Sequence, residues 1–312
     1  MTKIAVVGVG GWGKNHVRVL SELESLCAVC DIDAEKAKTF ADRYKVNSYT
    51  SINEMLENEK LDGAIVSTPT TTHLAVAKQL MEHHINVLVE KPMAPSSLEC
   101  EQMRTIAKRN NVLLTTGYIE RFNPAVNDVK NIIADKRYGE VLMLEFHREN
   151  RMPSNIQDVG IIYDTSVHDI DTAIYLFDSK PHIVFARAGS SKGAHEDFAA
   201  IILGFKDHKI AFIASNWVTP KKVRQFIVVC TDAIITGDFI KQEIRIDQGE
   251  DTVIPRREFQ EPLILELKNF IDAVNGKTKS LISMDDAINT TRVAEAALLS
   301  SRTGAPIFLD LK

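Results

Sequence analysis

Short apolar runs alternate with longer mixed segments through the first third of the chain, the runs being "KIAVVG", "LCAVCD", "DGAIVST", "NVLVEK" and "NVLLTTG". Near-continuous apolar runs of this length predict strands buried on both faces, and the segments between them carry the spacing of amphipathic helices. After "KPMAP", Ser96 with Glu99 forms a capping box, and Cys100, Met103 and Ala107 fall on one stripe. The alternation predicts a parallel sheet wrapped by crossover helices. After Gly117 the rhythm changes. A helix over about residues 123–137 leads into "EVLMLEFHRE", a polar loop and another helix. The strands "HIVFARAGS", "DFAAIILGF", "KIAFIASNW", "RQFIVVCTD" and "AIITGDF" then follow, joined by short polar turns such as "KDHK", which predict antiparallel hairpins.

The predicted fold class is therefore α/β, in two domains. Residues 1–120 form a parallel-sheet domain, and residues 121–312 form an α/β domain with a large, mainly antiparallel open sheet. Two late helices end at Gly276 and Gly304, and the segment from about 283 to 312, through "APIFLDL", is expected to pack back on the first domain. The apolar strands "AAIILGF" and "IAFIAS" would leave one sheet face for another subunit, so a homodimer or homotetramer is expected through the C-terminal sheet.

Composition changes little in this picture. The 312 residues are 45% hydrophobic and 25% charged, with net charge −5, and no basic block exceeds a pair such as Lys221 and Lys222. Neither a nucleic-acid partner nor a membrane surface is expected. The apolar N-terminus is too short to cross a bilayer and lacks a cleavage site, so the expected location is cytoplasmic. Cys27 and Cys30 match C-x-x-C, but on a strand they point to opposite faces, so packing is expected there rather than redox or zinc chemistry.

Candidate chemistry begins at "GVGGWG", residues 8–13, between the first strand and the first helix. Gly8, Gly10 and Gly13 give G-x-G-x-x-G, with Gly11 and Trp12 inside the loop. Such glycines let the backbone turn tightly and approach a pyrophosphate at the helix N-terminus. The stretch nearly spells a phosphate-binding loop of nucleotide hydrolases as well, but Asn15 replaces the hydroxyl residue that would meet magnesium. The second strand ends at Asp31, where a carboxylate can accept hydrogen bonds from the adenosine ribose and would repel a 2′-phosphate. The domain is read as a Rossmann dinucleotide-binding domain that takes NAD in preference to NADP.

"DTSVHDID", residues 164–171, sets a histidine among three carboxylates. On a helix, Asp164, His168 and Asp171 share a face, while Asp169 points elsewhere. Three readings are open from the residues alone: a wet helix face, a proton relay, or a metal site. Further metal ligands are not singled out by the sequence, and hydride transfer to NAD needs no metal, so none is expected.

At "VEKP", residues 89–92, preceded by "STPTTTH", the chain resembles the Gfo/Idh/MocA oxidoreductases, and the resemblance covers essentially its whole length. The second anchor is D-x-x-x-H-x-x-D at Asp164, His168 and Asp171. The chain departs from the usual family pattern in having "GII" from Gly160 and Ser166 where glycines are common, and neither change removes a functional group. The resemblance implies that Lys91, Asp164 and His168 surround the carbon that loses hydride. It also implies cofactor contacts from the glycine loop, Asp31, Thr68, Pro69, Glu90 and Lys91. "YIERFNP", "QDVG" and "NWVTPKKVR" look like the branch that oxidises C3 of UDP-N-acetylglucosamine-type sugars. The expected substrate is thus a sugar or nucleotide sugar, with Arg121, Asn123 and Asp171 as candidate substrate-binding residues, and Arg148, Arg151 and Lys221 as weaker candidates for a diphosphate clamp. An inositol or simple-sugar dehydrogenase is the neighbouring alternative, and a non-catalytic NAD- or sugar-sensing protein of the same fold the more distant one.

Chemistry supports the implied roles. Histidine suits a base for a hydroxyl proton, and an adjacent carboxylate can orient its ring. A lysine aimed at the same oxygen would stabilise the alkoxide as the proton leaves.

Overall fold

The computed structural model describes residues 1–152, 159–191 and 194–309, so "QDVG" and "APIFLDL" lie partly outside the described residues. Contacts divide the chain into two compact units: Met1–Tyr118 with Leu263–Ile288, and Ile119–Pro262 with the chain from Asn289 onward.

The first unit holds strands β1 (Ile4–Val7), β2 (Leu26–Cys30), β3 (Asn47–Tyr49), β4 (Gly63–Val66), β5 (Asn86–Val89) and β6 (Leu114–Thr116). Its helices are α1 (Gly13–Glu22), α2 (Ala34–Tyr44), α3 (Ile52–Asn58), α4 (His73–Glu82) and α5 (Ser97–Asn110). The six strands pair in parallel in the order β3-β2-β1-β4-β5-β6, the doubly wound Rossmann arrangement. Every residue of β1 and β4 is buried, as strands covered by helices on both faces require. The capping box at α5 forms, with Ser96 Oγ accepting the Glu99 N–H at 3.3 Å, and Cys100, Met103 and Ala107 are its buried residues. Cys27 and Cys30 are pushed up to about 11, first by burial, then by the charges of Glu59 and Asp31 respectively, which leaves both as inert thiols.

The segment that groups with the first unit, Leu263–Ile288, starts earlier than the expected one and shares residues 283–288 with it. Helix α8 (Pro262–Val274) groups with the first unit from Leu263 on, whereas the chain from Asn289 on groups with the second unit. The physical reason is the face Leu263, Leu267 and Phe270, all buried. Phe270 fills the space beside Gly63 in β4, where a Cβ would stand 3.2 Å from its ring.

The second unit contains α6 (Pro124–Ala134), α7 (Val167–Phe177) and the part of α9 (Met284–Thr303) that lies beyond Ile288. Its strands are β7 (Val141–Glu149), β8 (Ile183–Gly189), β9 (Phe198–Gly204), β10 (Ile210–Asn216), β11 (Val223–Cys230), β12 (Ile234–Asp238), β13 (Glu243–Gln248), β14 (Asp251–Val253) and β15 (Ile307–Phe308). They form one sheet in the order β14-β13-β12-β11-β7-β10-β9-β8-β15. β7 and β10 run parallel, and the remaining pairs are antiparallel, including the β9–β10 hairpin closed by "KDHK". Leu144, Phe146, Ile201, Ile213, Phe226 and Val228 from one sheet face join Val129, Ile170, Ala173, Val293 and Ala297 from the helices in a single core. The other face turns Phe198, Ile202, Ile210 and Ile234 outward, each more than 40% exposed.

Candidate functional site

The residues named from the sequence fall into two groups, one in each unit. In the first, β1 delivers the chain into the glycine loop. Gly8 has φ +87°, and a Cβ there would lie 2.5 Å from the Ser67 carbonyl oxygen; a Cβ at Gly13 would lie 1.9 Å from the carbonyl oxygen of Gly8. Both positions therefore require glycine. Gly10 faces open space, and Gly11 and Trp12 are exposed. Helix α1 begins with no side-chain cap and no acid in its first turn, so its positive dipole end is uncompensated there. Asp31 is tied to the loop: Oδ2 accepts the Val9 N–H at 2.9 Å and Oδ1 the Asp33 N–H at 3.0 Å. A carboxylate retains lone pairs beyond two such bonds, so the cradle and acid both fit a dinucleotide.

Thr68 and Pro69 follow β4, half-buried and exposed respectively. His73, the last residue of "STPTTTH", fastens this stretch to the next. Its Nε2 lies 2.9 Å from the Thr68 carbonyl oxygen, and its Nδ1 lies 3.1 Å and 3.2 Å from those of Pro92 and Met93. Burial lowers its pKa, opposed by these carbonyl oxygens and by Glu90, which raise it. Glu90 and Lys91 follow β5, with a cis peptide at Lys91–Pro92. Glu90 is buried, accepts the Lys91 N–H at 3.0 Å and meets His16 Nε2 at 2.6 Å. Its carboxylate faces inward, against this histidine.

In the second unit, Asp164 lies in a π-helical turn, Ile162–Ser166, that runs directly into α7. Its Oδ2 accepts from Thr165 Oγ1 at 3.0 Å, and Thr165 in turn receives Trp217 Nε1 at 3.1 Å. Trp217 is buried. His168, half-buried, stands one turn on. The wet-face reading fails for the rest of the motif, since Asp169 is 0% and Asp171 1% exposed.

All three candidate substrate residues are engaged within the second unit. Arg121 donates Nε to Asp171 Oδ2 at 2.9 Å and Nη2 to Oδ1 at 2.7 Å, and its guanidinium lies over the Tyr175 ring. The pair is buried and neutralises itself, so neither Arg121 nor Asp171 presents a charge to a ligand. Asn123 caps α6 through the Ala125 N–H at 3.1 Å and donates Nδ2 to Phe239 O and Glu120. These bonds use its side chain inside the domain. Arg148, from β7, is likewise enclosed by Asp169 and Glu120 at 2.8 Å and 3.0 Å. Burial works against its charge, but the two carboxylates prevail and hold it ionised. Arg151 is exposed.

Two further cations, Lys222 and Arg224, lie at the start of β11. Arg224 sits directly across from Arg148 in the β11–β7 register and reaches Glu120 only at 3.9 Å. Burial, then Arg148, lowers its pKa, opposed by Glu120, Asp169 and Asp164. Lys222 is lowered by Arg224 and then by burial. Both belong to "NWVTPKKVR", the stretch that also holds Lys221.

Residues 2–118 match the oxidoreductase family with an NAD-binding Rossmann fold, GFO/IDH/MocA, and residues 126–236 match the GFO/IDH/MocA C-terminal domain. The chain is 26% identical to UDP-N-acetylglucosamine 3-dehydrogenase of Acidithiobacillus ferrooxidans, covering 95% of each protein. It is 27% identical to scyllo-inositol 2-dehydrogenase (NAD(+)) of Bacillus subtilis, over 99% of this chain and 97% of that one. The solved structure of the Acidithiobacillus enzyme shares the fold, with a TM-score of 0.89 at 22% identity over 97% and 98% of the two chains.

Proposed function

The chain belongs to the Gfo/Idh/MocA oxidoreductase family and carries its NAD-binding Rossmann domain, and from that premise we propose that it oxidises C3 of a UDP-N-acetylglucosamine-type nucleotide sugar to the 3-keto sugar. The observation that most supports this reading is the near-full-length similarity to UDP-N-acetylglucosamine 3-dehydrogenase, in a chain that has Lys91, Asp164 and His168 at the family's motif positions. NAD, when bound, supplies the hydride acceptor. Gly8, Gly10, Gly11, Trp12 and Gly13 would hold its pyrophosphate and Asp31 its ribose, and that acid favours NAD over NADP. His168 takes the hydroxyl proton, Asp164 orients the imidazole, and Lys91 steadies the alkoxide oxygen.

Lys222 and Arg224 take the place first given to Arg121, as the cations that meet the substrate's phosphates. The outward sheet face supports a homo-oligomer. Ile202, Phe212 and Ile227 lie in one cross-strand row with Glu145, an apolar band with a single acid inside it, which suits a self-complementary contact. No helix among the described residues is long and apolar enough to cross a membrane. A cytoplasmic place of work is part of the same reading.

The similarity to scyllo-inositol 2-dehydrogenase supports a second reading, oxidation of an inositol or simple sugar. Protection against thermal unfolding by UDP-sugars and inositols, screened with NAD present, separates the two, because a true ligand raises apparent stability by mass action. Protection by inositols alone would reject the nucleotide-sugar reading.

A further inference from the structure

The π-helical turn that carries Asp164 is stitched to the rest of the second unit at both ends. At its start, the Glu196 carbonyl oxygen accepts the Ile161 N–H at 2.9 Å, and Glu196 Oε1 accepts the Ile162 N–H at 3.3 Å. Gly160 is needed there, since a Cβ would lie 2.2 Å from the Glu196 carboxyl carbon. At its end, two consecutive hydroxyls reach β10 and the residue after it. Ser166 Oγ meets Ser215 Oγ at 3.0 Å, both side chains being buried, and Thr165 Oγ1 lies 3.1 Å from Trp217 Nε1. Trp217 is 5% exposed, and its own backbone N–H is held by the Asp197 carbonyl oxygen at 2.8 Å. The Thr165 hydroxyl also lies 3.0 Å from Asp164 Oδ2.

The chemistry of the three groups fixes the direction of this hydrogen-bond series. An indole N–H can only donate, so Thr165 Oγ1 accepts from Trp217, and the single proton of the hydroxyl is directed to Asp164 Oδ2. A carboxyl oxygen can accept it whether or not the group carries a proton, so the direction does not depend on the charge of Asp164. Bonds in series polarise one another, which strengthens the last bond, the one to the carboxyl group. We propose that Thr165 is a positioning residue for Asp164, set in turn by Trp217: the indole N–H orients the hydroxyl, and the hydroxyl holds the carboxyl group where it serves His168. The proposal rests on Asp164 acting in the proposed reaction, whereas the hydrogen-bond series does not.

The ties of the turn divide by what they hold. Glu196 holds backbone N–H groups, and Ser215 holds the Ser166 hydroxyl, so these bonds secure the path of the turn. The Thr165 bond holds a side chain given a part in the chemistry. Three substitutions separate the two kinds of tie. Thr165→Val keeps the shape of the side chain and removes its hydroxyl, Thr165→Ser keeps the hydroxyl, and Ser166→Ala removes a buried bond of the same turn that does not involve Asp164.

The hydrogen-bond series is read in apoprotein labelled with ¹⁵N-tryptophan. The protein has two tryptophans, Trp12 and Trp217, and Trp217→Phe identifies the Trp217 indole N–H resonance by its loss. That resonance should move upfield in Thr165→Val and return in Thr165→Ser. With NAD and a UDP-sugar, Thr165→Val should lower the turnover number about tenfold or more, leave the Michaelis constant and NAD affinity within about twofold, and be rescued by Thr165→Ser. Trp217→Phe should lower turnover less than Thr165→Val and add nothing to it in the double variant, because both act through one hydroxyl. Ser166→Ala should keep its turnover. An indole resonance unmoved in Thr165→Val overturns the proposal, as does full turnover in Thr165→Val or an equal loss in Ser166→Ala. Should Thr165→Val fail to fold, full turnover in Trp217→Phe overturns it equally. Absence of turnover on every sugar and inositol in wild type would instead reject the proposed function, while the indole resonance still decides whether Trp217 holds Thr165.

Discussion

Arg121 and Asp171 face each other in a two-pronged ion pair inside the second unit, with side chains 4% and 1% exposed. The arginine best placed by sequence to bind a phosphate is therefore committed to the fold. Arg121→Ala leaves Asp171 charged and buried, and should destabilise by about 3–5 kcal/mol in denaturant unfolding. Arg224→Gln should leave stability nearly unchanged and raise the Michaelis constant for a UDP-sugar about tenfold, as expected for one lost charge-assisted phosphate contact. The reverse pattern, with Arg121→Ala folding normally and losing substrate affinity, would restore Arg121 as the phosphate residue.

Asp31 joins the glycine loop to the end of β2 through the Val9 N–H. Asp31→Ala should weaken NAD binding and narrow the gap to NADP, since the carboxylate that repels a 2′-phosphate is gone. Titration of both cofactors by fluorescence checks this. An unchanged preference in the variant would remove Asp31 from the ribose site.

The outward face of the nine-stranded sheet provides a third test. Ile202→Lys puts a charge into the apolar row beside Phe212, so an oligomer built on this face should dissociate while the monomer keeps its fold. Sedimentation at matched concentration distinguishes the outcomes. An oligomer unaffected by Ile202→Lys must use another surface.

Legibility in the sequence followed burial. The five apolar runs announced five of the six parallel strands, because a strand covered on both faces is apolar throughout. The sixth, β3, is the three polar-edged residues "NSY", too short and too exposed to leave a pattern. In the second unit, β13 reads "EIRIDQ" and β14 "DTV", strands that were passed over because charges fill their exposed positions. The glycine loop was legible through steric necessity at Gly8 and Gly13. The fate of Arg121, Asn123 and Asp171 was not, because a charged residue near a candidate site reads the same whether its partner is a ligand or a side chain 50 positions away.

The central claim is that Lys91 and His168 serve hydride transfer from a nucleotide sugar to NAD. Its most direct test is NADH absorbance on mixing the protein with NAD and UDP-N-acetylglucosamine, in wild type and in His168→Asn, with a chelator present. Wild type should form NADH with a rate that rises through a group near neutrality. His168→Asn should keep NAD affinity, lose the inflection and turn over about 10²-fold more slowly. No NADH from any UDP-sugar in wild type, or an inflection that persists without His168, would contradict the account.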